Sequence, residues 1–278
     1  MRRITAIVPL LFLCASLLPA AQMPVTTQVS GNTLTGSVSL PGGIDLDLTL
    51  AFEQALGLNA NSFSVTAGLV SPTDPTIVSR FPDPASIAIP TAFPVLIQIT
   101  PAAGTGLTFS GPYKLTLHTH ALTLVTNSPL RLFESHAGGP FRDITSSLDA
   151  GSVRPGGGDG AFSDFLVVAD VRPTDQVIAG KFDAISALLS ANSSSINASV
   201  LSDLQQRLSQ ARVYYNQGLI PAAINAVADF SNQVRQQSGA NIPDVWQANG
   251  SLVNVAGLLR SAADTLKFSL TWKANGAP

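Results

Sequence analysis

The feature that most constrains this chain is a change of hydrophobic period near Pro173. Before it, apolar residues recur at every second position, as in Ile44, Leu46, Leu48 and Leu50. After it they recur three and four residues apart, as in Val177, Ile178, Phe182, Ile185, Leu188 and Leu189. The first spacing lines one side of a strand and the second lines one side of a helix. The expected fold is therefore two-domain α+β. An antiparallel β-sandwich occupies residues 22–172, a four-helix bundle 173–270, and a short tail 271–278.

In the first half, strands are expected at 33–40, 44–50, 62–70, 95–100, 113–125, 130–134 and 162–169, about seven or eight in all. Pro41-Gly42-Gly43 and Gly104-Thr105-Gly106 read as tight turns. No long helical pattern lies between the strands to carry a crossover, so their pairing should be antiparallel. The piece 51–58 reads equally well as a strand end or as a helical turn stopped by Gly57. The glycine-rich stretch 151–160 lacks the Lys-Ser/Thr ending of a phosphate-binding loop and reads as a loop joining two strands.

In the second half, the first helix carries the stripe from Val177 to Leu189. The second carries Ile196, Val200, Leu204, Leu208, Ala211 and Tyr215, with Gly218 just past its end. The third starts at Pro221 and buries Ile224, Val227 and Val234, with Ile220 on the same stripe. The fourth is expected over 245–266, with Leu252, Ala256, Leu259, Ala263 and Leu266 inward. A spare apolar stripe on the first helix would mark a docking surface.

Residues 1–21 have the order of a secretory signal: Arg2-Arg3, an apolar run, Pro19, then Ala20-Ala21 before cleavage. Lipidation at Cys14 is disfavoured by the bulky Leu13 before it. The apolar run is too short for a membrane span, and none is expected after cleavage. Cys14 is the only cysteine, so the mature chain must rely on cores of adequate size rather than disulfides. That composition fits a bacterial periplasm or exterior. Charged residues make up only 12% of the chain and the formal net charge is −2, becoming more negative once Arg2 and Arg3 leave. Without a basic run, nucleic acid is excluded as a partner.

The sharpest candidate chemistry is His118-Thr119-His120, since alternate strand residues share a face and two imidazoles so spaced suit one metal ion. Glu134 and His136 are the candidate further ligands, although Glu134 lies further from His120 than the cupin pattern places its glutamate. The competing reading makes Thr116, His118 and His120 a solvated face opposite Leu115 and Leu117, with a bulge near 119–121. Calcium at Asp159 with Asp149 or Asp164 lacks the ladder of acidic ligands. Asp45 and Asp47 share a strand face that reads as solvated. Nucleophile motifs are absent, and the only glutamates are Glu53 and Glu134. Trp246 and Trp272 are candidate ligand platforms, with packing as the competing role.

Residues 200–266 resemble the FIMAH-type helical module through Leu204, Leu208, Ala211, Gly218, Ala222-Ala223-Ile224, Phe230, Val234, Ile242, Leu252, Ala256 and Leu266, with Ser231 departing from its pattern. Residues 140–145 and 161–168 are similar to the closing hairpin of bacterial surface β-sandwiches. The whole chain resembles an uncharacterised exported Gram-negative family with the same two-part layout. These resemblances imply no catalytic residues and no cofactor. The expected function is therefore a non-enzymatic binding or structural role outside the cytoplasm, toward an unidentified protein or cell-envelope component. The competing expectations are a metal-binding protein or metal-dependent enzyme at His118 and His120, and a polysaccharide or cell-wall adhesion module.

Overall fold

Period-two segments pair wherever a tight turn lets the chain double back, and the β3–β4 hairpin, residues 33–56, shows this. Strands β2 (Thr26–Ser30), β3 (Thr33–Leu40) and β4 (Ile44–Leu56) follow β1 (Met23–Pro24). Leu40 pairs with Ile44 around Pro41-Gly42-Gly43, where Gly42 and Gly43 have φ of 82° and 75°. Only glycine adopts such angles without steric cost. The segment 51–58 resolves as the end of β4. The computed structural model describes residues 22–276 apart from 124, 126, 150–151, 158–161, 163 and 248–251. The signal segment, Cys14 and Asp159 lie outside the described residues.

The remaining strands are β5 (Phe63–Leu69), β6 (Ile87–Ala88), β7 (Val95–Pro101), β8 (Thr108–Thr123), β9 (Leu130–Ser135), β10 (Arg142–Asp143), β11 (Thr145–Asp149), β12 (Ser152–Gly157), β13 (Asp164–Asp170) and β14 (Val245–Gln247). Helix α1 (Pro75–Val78) is a single turn capped by Asp74. Helices α2 (Thr174–Ala191), α3 (Ala198–Asn216), α4 (Ile220–Gln237) and α5 (Val255–Ala274) form the second half. The chain is thus α+β, with antiparallel sheets followed by helices. No described helix is long and apolar enough to cross a membrane.

One sheet runs β1-β5-β7-β13-β9-β10 with β6 also on β13, and the other runs β11-β12-β8-β4-β3-β2 with β14 also on β8. A single hydrophobic cluster takes Leu48, Leu50 and Leu115 from one and Val65, Ile97 and Val167 from the other. Strand β9 is buried on both faces because Ile77, Phe81 and Phe141 cover its outer side through Phe133. A third cluster belongs to the helices, where Ile178, Phe182, Leu204, Phe230 and Leu259 meet.

Several expectations are corrected by these pairings. The glycine-rich stretch contributes β12, which pairs with β8 and β11, because a backbone ladder does not depend on side chains. The supposed closing hairpin is not one: β10 and β13 both pair with β9, which lies between them. The fourth helix starts ten residues late, at Val255, because Val245–Gln247 pairs with Ser110, Phe109 and Thr108 of β8. It also continues to Ala274, into the segment expected to be a tail. The bulge near 119–121 is present as a register shift between β12 and β8, where Val153 opposes Thr119 and Ser152 opposes Thr123.

The two halves are joined by polar contacts as well as by β14. At a second bulge, Gly111 takes φ 69° opposite Glu53, and its carbonyl accepts from Asn254 Nδ2 at 2.6 Å. Asn254 Oδ1 in turn accepts from Gly257 N at 2.7 Å, so one buried side chain both starts α5 and ties it to β8. Arg260 reaches back to Glu53 at 2.7 Å. Deeper in the junction, the Lys181 ammonium of α2 pairs with Asp143 of β10 at 2.6 Å and donates to the Thr265 carbonyl and Ser269 Oγ of α5 at 3.1 and 3.0 Å.

That three-way contact makes a quantitative expectation. Lys181→Met should lower the unfolding free energy by about 3–5 kcal/mol, because it strands the buried Asp143 carboxylate. Adding Asp143→Asn should recover part of the loss. Urea unfolding followed by circular dichroism measures both, and equal stability of Lys181→Met and the unaltered chain would refute the assignment.

Candidate functional site

Helix α2 carries two usable faces, and their spacing explains a cleft at the junction. Ile178, Phe182, Ile185 and Leu189 are buried in the helical core. One or two residues earlier in each turn, Val177, Gly180, Ala184 and Leu188 line a cavity of about 500 Å³. Across it, α5 contributes Leu258, Ser261, Ala262 and Thr265 at the same helical spacing, and β10 with its flanks contributes Phe141, Arg142, Asp143 and Ile144. Small residues on both helices leave the space open, since alanine and glycine side chains do not fill the gap between elements. The volume lies within the range of small-molecule sites.

The cleft has an apolar wall and a charged floor. Lys181 and Asp143 lie at the floor, with side chains 9% and 3% exposed. Burial pulls the Lys181 ammonium below its usual range against the pull of Asp143. Burial would raise the Asp143 carboxyl, but Lys181 and Arg131 outweigh it and hold the group low. The two groups meet at ion-pair distance, 2.6 Å, and the ammonium also donates to the Thr265 carbonyl and Ser269 Oγ. Ser261 Oγ is buried in the wall with no hydrogen-bond partner among the described residues. A buried hydroxyl left unpaired costs about 1–3 kcal/mol, so an orphan beside a cavity points to a missing polar neighbour.

Further ion pairs surround the floor. Arg142 reaches the buried Glu134 at 3.0 Å, and Arg172 grips both oxygens of Asp170 at 2.9 and 2.7 Å. Arg131 differs. Its Nη1 donates to the carbonyls of Ser128 and Leu130, and its guanidinium lies 4.8 Å from the Trp272 ring centre and 5.4 Å from that of Phe268. Among the described residues it has no carboxylate within ion-pair distance, and burial pulls its pKa down against the pull of Asp143 and Asp170. It lines a second cavity of about 540 Å³ with Trp272, Pro173 and Thr174.

The sequence candidates fall elsewhere. His118 and His120 do share a face, their rings 4.8 Å apart and edge-on, and His118 Nδ1 lies 3.1 Å from Asp47 Oδ2. That is the outer face of β8, because Tyr113, Leu115 and Leu117 point into the core. Glu134 is on the inner side, accepting from the Tyr113 hydroxyl at 3.1 Å, and His136 Nδ1 contacts the Phe162 carbonyl at 3.2 Å. The sheet therefore separates Glu134 from the histidine pair. No group of three or more potential metal ligands occurs among the described residues.

Trp246 is half-buried, stacked on Phe109 with ring centres 5.0 Å apart and edge-on to Phe162. Trp272 is half-buried and does line a cavity, beneath Arg131. Sequence reasoning passed over Lys181, Arg131 and Ser261. A signal was present for two of them: Lys181 interrupts the stripe between Ile178 and Phe182, and Arg131 interrupts the apolar run from Leu130 to Phe133. Ionisable residues within buried segments are rare unless they have a specific partner.

The chain belongs to a family of unknown function (DUF6689), whose model matches residues 8–274. Neither the search of curated proteins nor that of solved structures found a match.

Glu134 generates a prediction on pH. Burial pushes its carboxyl up from 4.5 to about 7, against the pull of Arg142, Tyr113 and His136. The folded chain thus holds a proton that the unfolded chain releases, so this contribution to stability is full below pH 4.5 and is lost as pH rises to 7. The loss is on the order of 2–3 kcal/mol. Glu134→Gln removes it. Melting temperatures of both chains between pH 4.5 and 8 should diverge, the unaltered chain falling relative to the variant, and parallel curves would refute the assignment.

Proposed function

We propose that this chain is an exported, non-enzymatic binding protein whose ligand is a small amphipathic molecule held between its two halves. In this reading the two sheets, sharing the cluster of Leu48, Val65, Leu115 and Val167, act as a β-sandwich. Helices α2 to α5 act as a four-helix bundle leaning on it. Export rests on Arg2-Arg3, the apolar run and Ala20-Ala21.

The observation that carries the proposal is the cleft, where an apolar wall of small residues ends in a charged floor and Ser261 Oγ has no partner among the described residues. An apolar body would gain by leaving water for the wall formed by Val177, Leu188 and Leu258, at about 25 cal/mol per Å² buried. A polar end would meet the charged groups at the floor. Cell envelopes are built from amphiphiles of this general shape, which suits a protein acting outside the cytoplasm.

The neutral fluorophore N-phenyl-1-naphthylamine tests this, because its emission rises on entering an apolar site. The purified mature chain should bind it and release it on addition of decanol. Ala184→Trp places an indole in the cleft from an exposed position and should abolish binding while leaving the melting temperature within a few degrees. Unchanged binding in that variant, or none in the unaltered chain, would overturn the proposal.

A further inference from the structure

Three of the cations lining the cleft have carboxylates in contact, whereas among the described residues Arg131 beside them does not. Arg142 has Glu134, Lys181 has Asp143, and Arg172 has Asp170. Arg131 is only 9% exposed, and its direct contacts are backbone carbonyls on one nitrogen and aromatic rings on its face, with Asp143 and Asp170 acting on it from beyond contact distance. A buried cation is costly without an opposite charge, and carbonyl and ring contacts compensate it only in part. The remaining edge of a guanidinium is a planar fork that matches a carboxylate or phosphate.

The surroundings of this group favour an anion independently. The second cavity, about 540 Å³, is lined by Arg131, Arg172, Trp272 and the start of α2 at Pro173 and Thr174. Helix α2 runs for 18 residues, and its N-cap, Pro173, makes no side-chain hydrogen bond. Its amino end therefore places a partial positive charge at the cavity. The one acidic residue lining this cavity, Asp170, has both carboxylate oxygens engaged by Arg172. Arg172 and Val177 belong to the walls of both this cavity and the cleft, so the two spaces adjoin.

We propose that the Arg131 cavity is a subsite for an oxyanion, a carboxylate or phosphate, carried as the head group of the ligand whose apolar body occupies the cleft. This rests on the cleft reading and specifies its ligand as an anionic amphiphile. Arg131 binds the head group, the amino end of α2 adds its partial positive charge, and Trp272 holds the guanidinium plane in place.

The test compares decanoate and decyl phosphate with decanol on the unaltered mature chain, below their aggregation limits, by displacement of N-phenyl-1-naphthylamine. Both anions should bind at least tenfold more tightly than decanol, the range expected of a charge-assisted bidentate contact. Arg131→Gln should bring the anions down to the level of decanol and leave decanol within twofold. Arg131→Lys, which keeps the charge if the glutamine variant fails to fold, should retain part of the advantage. If decanoate, decyl phosphate and decanol bind alike, the subsite is overturned while the cleft reading stands. If none of the three binds, the cleft reading itself fails. If inorganic phosphate alone stabilises the chain as strongly as decyl phosphate, the anion does not belong to an amphiphile and the proposal is overturned.

Discussion

The arrangement of the two halves depends on one buried ammonium group. Lys181 sits on α2, its counter-ion Asp143 on β10, and its other acceptors, Thr265 and Ser269, on α5. Taking two charges out of water costs several kcal/mol per ion, and that cost is offset only when geometry and remaining hydrogen bonds are satisfied together. Any shift of α2 against α5, or of either against β10, leaves at least one donor or acceptor unmet. An apolar contact in the same place would tolerate sliding; this contact does not. The pair thus specifies relative position more than it adds net stability.

Around that point the junction is tied at both ends of α5. Asn254 joins its first turn to the Gly111 bulge, and Arg131 stacks against Phe268 and Trp272 near its last turns. Gly111 is favoured there by its φ of 69°, which residues with a Cβ rarely adopt, and a Cβ would also displace the Glu53 carboxylate that Arg260 holds. Gly257 is required for a similar reason, since a Cβ would lie 2.3 Å from Asn254 Nδ2. With α5 held in this way and α2 held by Lys181, the facing small residues of the two helices cannot close on each other. The cleft is a consequence of rigid attachment combined with side chains too small to fill the space.

Legibility in the sequence followed the source of each element's stability. Strands that bury one face, such as β3 and β4, announce themselves by alternation, and the helices by stripes such as Leu204, Leu208 and Ala211. Strand β12 did not, because its partners supply the ladder while its own glycines and proline supply no pattern. Strand β14 was hidden because Val245 and Trp246 fit the start of a helical stripe as well as they fit a strand. The histidine pair was legible as a pair on one face. Its separation from Glu134 was not, since that depends on which side of β8 faces the other sheet.

By itself the sequence determined the class of the protein, the position of the change from strands to helices, most strand and helix positions, and the turns that need glycine. Those properties arise from local periodicity and backbone preference, which residues express through near neighbours. Only the tertiary structure decided that Lys181 meets Asp143, that Arg131 lacks a carboxylate partner among the described residues, and that Val177, Ala184 and Leu188 line a cleft while Ile178, Phe182 and Ile185 fill a core. Each of these depends on surfaces that lie far apart in the chain. The free energy of burying a charge or leaving a space is set by what stands opposite, which local sequence does not encode.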